Sequence, residues 1–382
     1  MRARKLKAFY GVIAFLAVCA AGFLSGCASG HKQFVYVTGQ GTNEVFEFRI
    51  QSNGTIVPLG TPNFPVGSNP SALRPHTSGD FLYITDFSGN DVTQLNINSG
   101  NGNLSVPTSI SIVNPVNPVN IFATDKGPVS LVMSPTAPFL YAVNQIAGNV
   151  TGYTVDPGTG SLGVIQSPPP GPSSPFPIVP ASHPSAVAIA PAGNFLFVAN
   201  GTEGTIAVFN IGDKGVLAQA GLPTSAGAGA TPTSIAIDHS GRFLYVTDPA
   251  HNAIVGFAIQ AGALTPINGS PFVAGAAPIG LGIDPQGALL YAANSGSNNV
   301  SAFAIDAATG ALGAVTGSPF STGGVGPSAV AVDADTSFLY VTEQGSHDIA
   351  AFDIASNGAL QPMKGSPFGV ATAASAITVV RR

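Results

Sequence analysis

Seven recurrences of one aromatic-centred strand phrase, chain ends that each hold part of such a unit, and a composition rich in turn formers predict an all-β fold, a seven-bladed β-propeller. The aromatic falls at Tyr36, Tyr83, Tyr141, Phe197, Tyr245, Tyr291 and Tyr340. The intervals of 47, 58, 56, 48, 46 and 49 residues suit one four-stranded blade each. With 47 Gly, 32 Pro and 8% charged residues, the 382-residue chain suits many short strands and tight turns rather than long solvated helices. Its 23 Phe, beside Val, Ile, Leu and Ala, supply the apolar area that sheet-on-sheet packing buries.

The unit reads most plainly from Pro278 to Pro327. Ile279 to Ile283 is an apolar inner strand, Asp284-Pro285-Gln286-Gly287 has turn chemistry, and Leu289 to Ala293 is the second strand. Asn294 to Asn299 is a polar loop, Val300 to Ile305 alternates as a third strand, and Leu312 to Phe320 is the outermost strand. A proline precedes the inner strand at Pro70, Pro128, Pro184, Pro232, Pro278 and Pro327, where its missing N–H costs least. Gly-Ser-Pro-Phe at 269–272, 317–320 and 365–368 is read structurally: proline blunts an exposed edge while Phe packs on the neighbouring blade. Period-2 alternation likewise puts the recurring Tyr in the core.

Phe34-Val35-Tyr36-Val37-Thr38 lacks its inner strand, and Ala376-Ile377-Thr378-Val379-Val380 is an inner strand without a successor. The two complete one blade, so residues 376–382 are expected to be structurally necessary. The longest intervals hold two insertions, Asn114 to Gly127 and the Pro-rich Ser167 to Pro180, expected to overhang the face formed by the blade-to-blade connections.

Residues 1–26 read as a targeting segment, 27–33 as a short tether and 34–382 as one propeller domain. Arg2, Arg4, Lys5 and Lys7 precede an apolar stretch, Val12 to Phe23, too short for a comfortable membrane span. Leu24-Ser25-Gly26-Cys27 then resembles a bacterial lipobox, which implies lipidation of Cys27 and a membrane-anchored lipoprotein of the cell envelope, with Ala28 favouring the outer membrane or cell surface. Cys19 lies in the leader, so the mature domain has no thiol for a disulfide, a zinc site or a nucleophile. Loss of the leader takes the formal net charge from −5 to −9, and an acidic domain without basic clusters argues against nucleic-acid partners.

Phe81-Leu82-Tyr83-Ile84-Thr85-Asp86, Phe243-Leu244-Tyr245-Val246-Thr247-Asp248 and Phe338-Leu339-Tyr340-Val341-Thr342-Glu343 resemble the YVTN β-propeller repeat. With the Pro-Ser-Ala-Val-Ala-Val-Asp inner strand and the Thr-Gly-Ala-Leu turn, the chain is similar to lactonase-type seven-bladed propellers, including 6-phosphogluconolactonases and cycloisomerases. The resemblance implies a His-Pro-His phrase and an Asp-Leu-Gly-x-Asp phrase. Here His183-Pro184-Ser185 matches the first with Ser185 at the second His, and Asn200-Gly201-Thr202-Glu203-Gly204 replaces the second.

These departures favour a binding or scaffold module presenting its loops to an envelope protein, peptide or glycan. The alternative is a lactone hydrolase with His183 and Glu203 as catalytic groups, and a second alternative is a metal-dependent propeller enzyme, although no diagnostic metal spacing occurs and no cofactor is called for. Candidate ligand-binding residues are Asp86, Asp248 with His251, and Glu343 with His347 and Asp348, where a carboxylate in a loop stands near an imidazole. Arg74 replaces Ala on an inner strand. It either binds a carboxylate or phosphate near the channel or pairs with an Asp as a structural charge.

Overall fold

The computed structural model describes residues 32–107, 120–166 and 173–382; the leader, Cys27 and Pro168-Pro169-Pro170 lie outside them. The described chain forms seven antiparallel sheets, and their inner strands surround a channel. The inner strands of blades 2 to 7 are Pro70–Pro75, Pro128–Met133, Pro184–Ile189, Ile235–Ile237, Pro278–Ile283 and Pro327–Val332. Five open on the proline that the sequence places there; in blade 5 the strand shrinks to three residues and starts after Pro232.

Blade 1 takes its inner strand from the C-terminus. Ala374–Arg381 pairs antiparallel with Gln33–Gly39, Thr378 opposite Tyr36, as the complementary ends predict. Lys32 and Arg382 exchange backbone hydrogen bonds beyond the pair, and Arg382 Nη2 reaches Asp80 Oδ1 of blade 2 at 2.5 Å.

Packing is concentrated between blades. Seven apolar clusters each straddle one joint; Phe34, Tyr36, Leu82, Ile84 and Leu95, for example, fill the one between blades 1 and 2. The recurring Tyr is fully buried, and burial raises its hydroxyl pKa. Each such phenol donates to a turn carbonyl of the next blade: Tyr36 to Gly102, Tyr83 to Gly160, Tyr141 to Gly215, Tyr245 to Gly310, Tyr291 to Gly358 and Tyr340 to Gly54. The turn must be glycine at positions such as Gly102, where φ is +80° and an added Cβ would lie 2.3 Å from the Phe34 ring. In blade 4 the aromatic is Phe197, which fills the same space without a donor.

The outermost strand is not continuous as expected. In blade 6 it splits into Leu312–Ala314 and Phe320–Ser321, because Ser318 Oγ accepts the N–H of Ala302 at 2.9 Å between the two pieces. Ser270 and Ser366 do the same for Gly256 and Ala351, and Ser174 of Ser173-Ser174-Pro175-Phe176 does so for Gly152. Proline has no N–H to give the ladder, the serine hydroxyl accepts the third-strand N–H in place of a backbone carbonyl, and Phe packs into the joint as anticipated.

The insertions are also not overhanging throughout their described parts. Asn120–Ala123 pairs along the third strand of blade 2, and Phe176, 1% exposed, enters the core between blades 3 and 4. Their apolar residues are worth more in the joints than on the surface.

Glu47 is a buried carboxyl that strand alternation alone would leave unremarked. It faces blade 2, where Oε2 accepts the Leu104 N–H at 2.9 Å and Oε1 has no partner among the described residues. Burial raises its pKa to about 7, the Leu104 bond only partly opposing it. Because the folded value exceeds the ordinary 4.5, this group's contribution to stability is complete below pH 4.5 and is lost as pH rises through about 7. Gln94 occupies the matching place in blade 2 and donates to Thr159 O at 2.7 Å. Glu47→Gln is therefore expected to stabilise the protein by about 2 kcal/mol at pH 8 and by little near pH 4.5. Urea unfolding across that range checks it; an equal effect at both ends would refute the assignment.

Candidate functional site

The loops between second and third strands share one face of the ring with the blade-to-blade connections. There the two strands end in facing polar residues, Asn144 opposite Asn149 and Asn294 opposite Asn299, with the amide of the first donating to the second at 2.7 and 2.8 Å. These asparagines clamp the loops structurally.

In blades 2 and 7 carboxyls take both places. Asp86 faces Asp91, and burial drives the Asp86 pKa well up despite a 2.6 Å hydrogen bond from Thr93 Oγ1. Glu343 faces Asp348, is fully buried, and has its pKa raised to about 7, first by burial and then by Asp348. The expected pairing of Glu343 with His347 does not form. Only the His347 backbone N–H reaches Glu343 O; its φ is +60° and its side chain is exposed, because the tight turn leaves strand register to set the neighbours.

Two histidine–carboxylate pairs do assemble, on adjacent blades. His183 immediately precedes the inner strand of blade 4, and Glu203 lies in the loop after the second strand. Gly201 N–H bonds His183 O at 3.0 Å and Gly204 turns with φ +62°, bringing the loop back over His183. Glu203 Oε2 accepts the His183 backbone N–H at 2.9 Å, and Oε1 meets Nδ1 at 2.7 Å. Partial burial alone would raise the Glu203 pKa, but these hydrogen bonds outweigh it and hold the carboxyl below its ordinary range. An ionised Glu203 only accepts, so in the neutral imidazole Nδ1 carries the proton and Nε2 presents its lone pair. The imidazole is reachable, its side chain 58% exposed.

In blade 5, His251 Nδ1 lies 2.7 Å from Asp248 Oδ2, while Asp248 Oδ1 accepts the Thr231 N–H at 3.2 Å. The connection from blade 4 to blade 5 joins the two pairs, since Ala226 N–H bonds Gly204 O at 2.8 Å. The arrangement places two imidazoles, each fixed in one tautomer by a carboxylate, on one face over two neighbouring blades. Such groups can take a proton from water and return it to a leaving oxygen.

Arg74 lies elsewhere, in the wall of the central channel. The structural ion pair with an Asp does not form: among the described residues no hydrogen bond or ion pair holds its guanidinium. Among the same residues no group of three or more His, Cys, Asp or Glu stands ready for a metal. Sequence reasoning passed over the hydroxyls beside the channel. Ser71, Ser185, Thr233, Ser328 and Ser375 each donate to a carbonyl of the next blade, a pattern visible in retrospect as Ser or Thr following the inner-strand proline in most repeats.

The fold is that of a propeller of the lactonase type. The family model for the seven-bladed β-propeller lactonases matches residues 27–175, 113–232 and 220–325, and the chain belongs to that family. It is 24% identical over 282 residues to a 6-phosphogluconolactonase of Cronobacter sakazakii, covering 62% of this chain and 80% of the relative. A second 6-phosphogluconolactonase, from Pectobacterium atrosepticum, is 24% identical over 259 residues, 56% of this chain and 74% of the relative. Two solved structures share the fold. A putative 6-phosphogluconolactonase from Bacteroides fragilis has a TM-score of 0.74 and 21% identity, covering 93% of this chain and 99% of that one. The periplasmic gluconolactonase of Pseudomonas aeruginosa has a TM-score of 0.72 and 21% identity, covering 92% and 99%.

Proposed function

We propose that the protein is a sugar-lactone hydrolase, an enzyme rather than the scaffold that the altered phrases first favoured, and that Cys27 anchors it in the cell envelope. The observation that carries the reading is the 2.7 Å contact between His183 Nδ1 and Glu203 Oε1, which supports a general base in place of the altered family phrases. His183 Nε2 takes a proton from water as the water oxygen attacks the lactone carbonyl carbon. The ester C–O bond of the tetrahedral adduct then breaks, and the imidazolium returns the proton to the departing ring oxygen, leaving a hydroxy acid. Ionised Glu203 stabilises the imidazolium in between. The envelope assignment rests on the basic and apolar leader ahead of Leu24-Ser25-Gly26-Cys27.

The test is hydrolysis of aldonolactones and phosphorylated aldonolactones, each rate corrected for spontaneous opening. Turnover well above background is expected for at least one sugar lactone. Background rates across the panel would overturn the reading and return the loop-bearing face to a binding role.

A further inference from the structure

We infer that the central channel holds a second ligand site, separate from the His183–Glu203 pair, in which Arg74 binds a small oxyanion, a carboxylate or phosphate. On the inner strands, Arg74 stands opposite Tyr83 of its own blade. The six positions opposite the same aromatic in the other blades are Val132, Ala188, Ala236, Gly282, Ala331 and Thr378. None carries charge and most are small, so this level of the ring leaves a space beside one guanidinium.

The channel has a volume of about 570 Å3, and among the described residues no carboxylate lines it. The acidic turns between first and second strands are otherwise engaged: Asp238 accepts the Phe243 N–H, Asp284 that of Leu289 and Asp333 that of Phe338. Arg74 is exposed to the channel, and the protein walls around it take away bulk solvent, which lowers its pKa. A guanidinium is a planar fork of donors matched to two oxygens of one anion. A channel-facing guanidinium with no protein partner among the described residues offers that fork to an anion that diffuses in. Arg74 also lies four residues beyond Pro70, which faces Asp86 at the loop end of the blade, whereas His183 stands at that end of its own blade. The site therefore does not depend on turnover at His183.

Isothermal titration calorimetry with inorganic phosphate and, separately, gluconate tests the proposal, with chloride at equal ionic strength as the control. One site per chain is expected for at least one oxyanion, and the two arms decide between phosphate and carboxylate. Binding is expected to weaken at least tenfold in Arg74→Gln and less in Arg74→Lys, and to persist in His183→Ala. Equal affinity in wild type and Arg74→Gln would overturn it, as would no binding beyond the chloride control. If Arg74→Gln does not fold, the Arg74 Nε–H resonance of the wild type decides: it shifts saturably with the oxyanion if the site exists and is unmoved if it does not.

Discussion

Deletion of residues 376–382 is expected to unfold the whole ring rather than trim its end. The deleted segment supplies most of the inner strand of blade 1, including Ile377 and Val380, 9% and 4% exposed. Its loss strips the hydrogen-bonding partners from one edge of Gln33–Gly39, where Phe34, Val35, Tyr36 and Val37 are fully buried. Each buried apolar side chain is worth about 1.5–3 kcal/mol and each ladder hydrogen bond about 1 kcal/mol, so the sum rivals the 5–15 kcal/mol that typically holds a domain folded. Arg382, which ties the same strand to Asp80 of the next blade, goes with it. Circular dichroism melting checks the outcome, and a cooperative transition at the wild-type temperature would refute it.

Replacement of His183 by Ala is expected to lower kcat/KM for lactone hydrolysis by about 10²–10⁴, the usual contribution of a positioned general base. Glu203→Gln should cost less, about tenfold to a hundredfold, because an amide can still orient the ring but does not stabilise the imidazolium. The neighbouring pair is the internal control. His251→Ala is expected to retain at least about a tenth of wild-type activity, whereas a loss matching that of His183→Ala would move the base to blade 5. Steady-state rates on one sugar lactone, with melting temperatures to confirm folding, distinguish these cases.

The blades were legible because one buried aromatic recurs with a near-constant interval, and ring closure was legible because the two ends are halves of one unit. The outermost strands were harder to read. Ser-Pro-Phe looks like edge protection, while the serine hydroxyl replacing a ladder bond appears only when the third strand lies beside it. The site divided in the same way. His183 and Glu203 lie 20 residues apart, and their contact follows from the return of the Gly201–Gly204 loop, which resemblance hinted at but spacing alone does not specify. Glu343, His347 and Asp348 share one turn, yet strand register sets Glu343 against Asp348 and the positive φ of His347 leaves its side chain outside. Glu47 was invisible because a polar residue in an alternating strand ordinarily faces water, whereas both faces of a blade are covered by neighbouring blades.

The missing hydroxyl of Phe197 has a mechanical consequence. Blades 4 and 5 meet without the phenol-to-turn bond that fastens every other joint, and the three-residue inner strand of blade 5 narrows the same junction. Strain applied to the ring will concentrate there rather than where the two chain ends are stitched together. Amide exchange around Gly262 and along Ile235–Ile237 should accordingly outpace that at the other joints. The histidine pairs of blades 4 and 5 flank this seam, so a molecule bound between them is expected to spread it without melting any blade.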